Sequence, residues 1–147
     1  MRKSNNIFLF FLLIFSLYCS LTLGRSWDED FQLFQGKVAI DYLLSLGTVD
    51  TDYLYRKYYA TMYWAFGYLI TEIFPPEYKI QINHVFNLIF SLSAVIGTSK
   101  ICKVLFNRQV GQIVFILLFF LPIYFGHLSF NGKDTVIVFS HVWIFYL

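Results

Sequence analysis

The apolar runs 7–23, 80–99, 110–128 and 135–147 contain no Asp, Glu, Lys or Arg. They are 17, 20, 19 and 13 residues long. A helix crossing a bilayer needs about 20 predominantly apolar residues, with tolerance down to about 17. Three of the runs meet that length. The fourth reaches only the end of the sequence and reads as an incomplete span, so the chain is expected to be the N-terminal part of a longer protein. The composition agrees, at 58% hydrophobic and 14% charged, whereas a soluble domain averages roughly 45–50% apolar and about 25% charged. The expected fold class is therefore all-α, a polytopic transmembrane helical protein with spans at 7–23, 81–99, 110–128 and 135–147.

Charge placement orients these spans. Lys100, Lys103 and Arg108 lie between the second and third spans with no acid near them. Arg2 and Lys3 precede the first span, and positive residues favour the cytoplasmic face. The acids fall at 28, 29, 30, 41, 50, 52, 72, 77 and 134, all outside or in outer interfacial segments. The expected location is an integral, multi-pass protein with a cytoplasmic N-terminus, in the plasma membrane or a bacterial inner membrane. The first span reads as uncleaved: its apolar core is long for a signal peptide, and Leu21-Thr22-Leu23-Gly24 lacks the small residues of a cleavage site. A net charge of +2, with no basic cluster, argues against a nucleic-acid partner. Cys19 and Cys102 are far apart in or beside apolar runs and read as core residues rather than a disulfide or metal pair.

Residues 24–79 then form an outer loop. Within it, Phe31, Phe34, Val38 and Tyr42 recur at spacings of three and four, with Gln32, Gln35, Asp41 and Ser45 on a more polar side. This pattern predicts an interfacial amphipathic helix over 31–46, stopped at Gly47. A second interfacial segment is expected over 58–74. Its uncharged part is too short to span before Glu72, and Pro75-Pro76 ends it. The tyrosines at 53, 55, 58, 59, 63 and 68, with Trp64, suit a membrane interface on physical grounds. The same rings would stack on a sugar or an isoprenoid chain.

The acidic run Trp27-Asp28-Glu29-Asp30 follows the first span directly and lies where a membrane enzyme can reach the head of a lipid substrate. His84 and Asn87, one turn apart at the opening of the second span, are costly in hydrocarbon and are expected to hydrogen-bond to a neighbouring helix rather than to act in catalysis. A polar connection, Gly126-His127-Leu128-Ser129-Phe130-Asn131-Gly132-Lys133-Asp134, joins the third and fourth runs. Its Asp134 is equally readable as a helix cap and as a site residue.

This order of features resembles the lipid-dependent glycosyltransferases of the GT-C fold, especially the dolichyl-phosphate-mannose protein mannosyltransferase family. The likeness rests on Asp28-Glu29 after the first span, the H-x-x-N opening His84-Val85-Phe86-Asn87, and the Gly126–Asp134 stretch, which is similar to G-H-S-F-x-N-P-K-D with Gly132 in place of Pro. The resemblance implies transfer of a sugar from a polyprenyl-phosphate donor to an acceptor hydroxyl with inversion, at the outer membrane face. It implies Asp28 as general base, Glu29 as its neighbour and Asp134 as a second acid. Lys133, Asn131 and His127 become the expected substrate-binding residues. Asp134 would help place the base, a metal ion or the acceptor; a metal is not specified, and Asp28 with Asp134 are the carboxylates that would permit a divalent ion without requiring one. The resemblance leaves the acceptor, the sugar and any cofactor unspecified. The alternative is a non-enzymatic small membrane protein or transporter fragment whose outer-loop acids are solvated loop residues.

Overall fold

The computed structural model of the protein describes residues 2–49 and 61–147. Every regular element among them is helical: α1 (Arg2–Thr22), α2 (Glu29–Leu44), α3 (Thr61–Thr71), α4 (Lys79–Leu105), α5 (Arg108–Phe120), α6 (Pro122–His127) and α7 (Gly132–Tyr146), with a 3-10 turn at Pro76–Tyr78. The all-α class expected from the sequence is the observed one. Tyr53, Tyr55, Tyr58, Tyr59 and the acids at 50 and 52 lie outside the described residues, as do the side chains of Arg2 and Lys3.

The long helix α4 is the axis of the fold, and α1, α3, α5 and α7 all pack on it. Pro75 and Pro76 explain where it starts, because proline fixes φ and suits a first turn while ending the preceding helix. Lys79 at its start pairs with Glu72 just past α3. At 27 residues it is about 40 Å long at 1.5 Å per residue. Residues Pro76–Leu105 form the one helical stretch among the described residues that is long and apolar enough to cross a membrane; Ile7–Thr22 and Arg108–Phe120 are apolar but shorter.

Inter-helix contacts give the directions. Ser20, late in α1, meets His84 at the start of α4, so α1 runs antiparallel to α4. α5 returns along α4 after a tight connection in which Asn107 caps the new helix, its side chain accepting from the Val110 N–H at 3.0 Å. A Cβ on Gly111 would lie 2.7 Å from the Ser99 carbonyl, so only glycine allows this approach. The Ser99 hydroxyl closes it by donating to the Gly111 carbonyl at 2.8 Å. α7 runs parallel to α4, with Thr135 beside Ser91 and Tyr146 beside Lys100. The acidic run and Asp134 thus share one end of the bundle, while Lys100, Lys103 and Arg108 occupy the other.

Two local expectations change. The helix anticipated over 110–128 is broken, because Leu121 is extended (φ −65°, ψ 113°) and Pro122 begins a separate short helix. Proline's ring clashes with a helical residue before it, and the break lets Phe125 of α6 turn back to stack on Phe15 of α1 at 5.7 Å. In α2 the polar side is the inner one: Glu29, Gln32, Gln35, Gly36 and Ala39 are buried, while Phe34 and Tyr42 are exposed. The cause is Gly36. Its missing Cβ would stand 2.3 Å from the Trp64 carbonyl, so α2 meets α3 along its glycine-bearing polar face. The apolar face of α2 points outward.

The core elsewhere mixes apolar residues such as Leu88, Val95 and Phe119 with polar ones. Ser16, Ser20, Thr71, His84, Asn87, Ser91 and Thr135 are buried, whereas Phe8, Phe10, Phe11, Leu13, Ile116 and Leu117 are among many large apolar side chains left exposed.

Candidate functional site

The chain leaves α1 at Thr22 and enters α2 at Glu29, and the carboxylates of the acidic run diverge there. Asp28 occupies the N-cap position of α2 but makes no capping bond to the helix. Its carboxylate is turned aside: Oδ1 accepts from the Ser26 hydroxyl at 2.7 Å and Oδ2 from the Gln32 amide at 3.0 Å. It stays half-buried. The N-terminus of α2 favours its negative charge, and each carboxylate oxygen keeps a further lone pair for a ligand. Asp30 faces solvent and pairs with Arg25 at 3.1 Å, with both side chains more than half exposed. Such a pair contributes little.

Glu29 takes the opposite course. It is fully buried, as is His84. One oxygen, Oε2, accepts the Ser26 backbone N–H at 2.6 Å, and Oε1 lies 2.5 Å from His84 Nε2. His84 Nδ1 is 3.1 Å from the Ser20 carbonyl oxygen. Those partners fix the protons. A carbonyl only accepts, so Nδ1 carries a hydrogen; Oε2 is already accepting, so one proton must lie between Nε2 and Oε1. Whether that proton sits on nitrogen or oxygen, the pair is neutral as a whole. It clamps the end of α1, the start of α2 and the start of α4 together directly beside Asp28.

Two further residues continue the polar face of α4. Asn87 accepts the Tyr63 hydroxyl at 2.6 Å and donates to the Leu128 carbonyl at 3.0 Å. Ser91 also donates to Leu128, at 2.8 Å. Its only proton is thereby used, so the 3.1 Å contact with Thr135 has the threonine hydroxyl as donor. His84, Asn87 and Ser91 fall at i, i+3 and i+7, one helix face. This is the inter-helix bonding expected of His84 and Asn87. Burial raises the Tyr63 phenol pKa above its ordinary value, keeping it a donor.

The Gly126–Asp134 connection forms a second centre. Asn131 caps α7: its carbonyl oxygen accepts the Asp134 N–H at 3.4 Å, and its amide donates to the Asp134 carboxylate at 2.8 Å. Asp134 is exposed in the first turn of α7, and Lys133 beside it is half-buried. The His127 ring packs 5.1 Å from Phe130. His127, Asn131 and Asp134 line a cavity of about 250 Å³ with Tyr124, Leu121 and Val138.

Five of the six sequence-predicted residues divide into two groups, while Lys133 does not line this cavity. His127, Asn131 and Asp134 meet at one cavity; Asp28 and Glu29 belong to the α1–α2–α4 junction and do not line it. No group of three or more His, Cys, Asp or Glu side chains comes together among the described residues in a way that could hold a metal. Glu29, anticipated as a catalytic neighbour, has no exposed surface and bonds to the Ser26 N–H and His84. The partners Ser20, Tyr63, Ser91 and Thr135 escaped sequence reasoning. Serine and threonine carry no hydropathy signal inside an apolar run, although the i, i+3, i+7 spacing of His84, Asn87 and Ser91 was open to inspection. Comparison with protein-family models, with curated proteins and with solved structures returns no match to this chain.

Proposed function

We propose that the protein is a polytopic membrane glycosyltransferase of the GT-C type, with its N-terminus cytoplasmic and Asp28 at the outer interface as general base. The membrane part of this reading is supported by the distribution of polarity: Ser16, Ser20, His84, Asn87, Ser91 and Thr135 are buried between the helices beside apolar residues such as Leu88 and Phe119, while many large Phe, Leu and Ile side chains are exposed. Water would penalise that surface, and hydrocarbon accepts it. The acidic run then lies at one membrane face and Lys100, Lys103 and Arg108 at the other.

The catalytic part rests on one observation: a half-buried carboxylate, Asp28, held beside a fully buried Glu29–His84 clamp. Asp28 removes the acceptor hydroxyl proton as that oxygen attacks the anomeric carbon of a polyprenyl-phosphate sugar. The bond from that carbon to the phosphate oxygen breaks, and the lipid phosphate leaves from the opposite face, inverting the centre. The Ser26 and Gln32 donors orient the base. Asp134, Asn131, Lys133 and His127, from the same end of the bundle, contribute to binding the donor. The test is Asp28→Asn, assayed in membranes with a panel of polyprenyl-phosphate hexoses. Transfer is lost while membrane insertion is unchanged; retained transfer removes Asp28 from the mechanism.

A second reading, a non-enzymatic membrane protein, draws on the Asn131–Asp134 cap and on the burial of Glu29. Each gives an acid a structural duty. That reading gains if no hexose donor in the panel is consumed by the wild-type chain.

A further inference from the structure

A larger cavity, about 560 Å³, lies between α1, α4 and α5, far from the acidic end of the bundle. Its walls include Leu12, Ile96 and Phe115, and its polar end is formed by Ser99, Lys100 and Gln112. Lys100 follows His84 by sixteen residues on α4, about 24 Å along the axis at 1.5 Å per residue. The volume falls within the roughly 300–1,000 Å³ of sites for apolar ligands. A chain-like apolar body fits it, provided the head of that body matches the polar end.

The polar end is cationic and unneutralised. The Lys100 ammonium rests over the rings of Trp143 and Tyr146, at 5.1 and 5.2 Å. No carboxylate pairs with it among the described residues. The sequence offers none between Glu77 and Asp134, and Asp134 lies at the opposite end of α7 from those rings. Aromatic faces hold the ammonium in place without removing its charge. Ser99, whose hydroxyl donates to the Gly111 carbonyl, and Gln112 line the same end of the groove.

We propose that this groove binds an anionic phospholipid, with an acyl chain along α1, α4 and α5 and the phosphate at Lys100. The inference rests on the membrane reading above and is independent of sugar transfer. Hydrocarbon alone would fill the groove with any lipid, so the discriminating element is the charge at its end, since basic side chains at a membrane face attract anionic heads. Lys103 and Arg108 stand at the same end but do not line the groove.

The experiment uses the full chain in mild detergent and native mass spectrometry, titrating phosphatidylglycerol and phosphatidylcholine of identical acyl chains. Wild type should retain phosphatidylglycerol about fivefold more tightly. Lys100→Gln should abolish the preference, Lys103→Gln should leave it within about twofold, and Ile96→Trp, which fills the groove, should release both lipids. Equal retention of the two lipids by wild type, or a preference surviving Lys100→Gln, overturns the proposal. Stronger retention of a polyprenyl monophosphate than of phosphatidylglycerol overturns the choice of occupant. Release of the protein from membranes by alkaline carbonate refutes the membrane reading itself, a failure distinct from loss of lipid preference.

Discussion

Replacing His84 by leucine tests the clamp that organises the acidic end. Leucine roughly conserves volume, so the main loss is the partner of Glu29. The carboxyl group would then stand in a site with no exposed surface, retaining the Ser26 N–H at 2.6 Å and nothing at Oε1. Removing one partner of a buried pair costs roughly 3–5 kcal/mol. Glu29→Gln behaves differently. Its amide donates to the bare Nε2 of a neutral His84 while its carbonyl accepts from Ser26, so every bond is kept and the cost is about 1 kcal/mol or less. In Glu29→Gln/His84→Leu the charge is gone and only a buried amide lacks a partner, costing roughly 1–3 kcal/mol. The order at pH 7 is therefore Glu29→Gln, then the double variant, then His84→Leu as the least stable. Reversible unfolding in mixed detergent micelles, followed by tryptophan fluorescence at pH 7, reads all three. A His84→Leu loss below about 1 kcal/mol at pH 7, or a double variant no more stable than His84→Leu, refutes the buried-pair argument.

Other perturbations probe separate links. Tyr63→Phe deletes the bond to Asn87 and should cost about 1–2 kcal/mol. Because burial raises the Tyr63 pKa above its usual 10.0, the contribution of its protonated form is intact below pH 10 and declines above it, where the unfolded chain ionises; Tyr63→Phe should show a smaller alkaline decline when the same unfolding is followed to above pH 10. Gly36→Ala places a Cβ 2.3 Å from the Trp64 carbonyl, forcing α2 off α3 at a cost of about 1–3 kcal/mol, visible as faster amide exchange in both helices. Cysteines introduced singly at Asp30 and Lys103 should react with impermeant maleimides from opposite membrane faces; labelling of both from one side contradicts the topology.

Legibility was uneven along the chain. The helices were written in the uncharged runs and their punctuation: Pro75-Pro76 before α4 and the polar residues around Asn107 before α5. Pro122 lies near the outer end of the third run, where a kink in a continuous span is the expectation. A proline can kink a helix or end it, and the outcome depends on whether something receives the turned-back segment; here Phe15 does. The α2 stripe of Phe31, Phe34, Val38 and Tyr42 predicted a helix correctly. Which face turned inward was decided by the close approach at Gly36, a property of two helices rather than of one.

The acidic run shows the same division. Sequence alone determined that Asp28, Glu29 and Asp30 follow an apolar helix and that His84 and Asn87 open another, because charge and hydropathy act residue by residue. It could not separate three neighbouring acids. Tertiary structure gave Asp30 to solvent, Asp28 to Ser26 and Gln32, and Glu29 to a histidine 55 positions away. Which carboxylate is buried depends on where α1, α2 and α4 converge, and that point is fixed only by packing across large sequence separations.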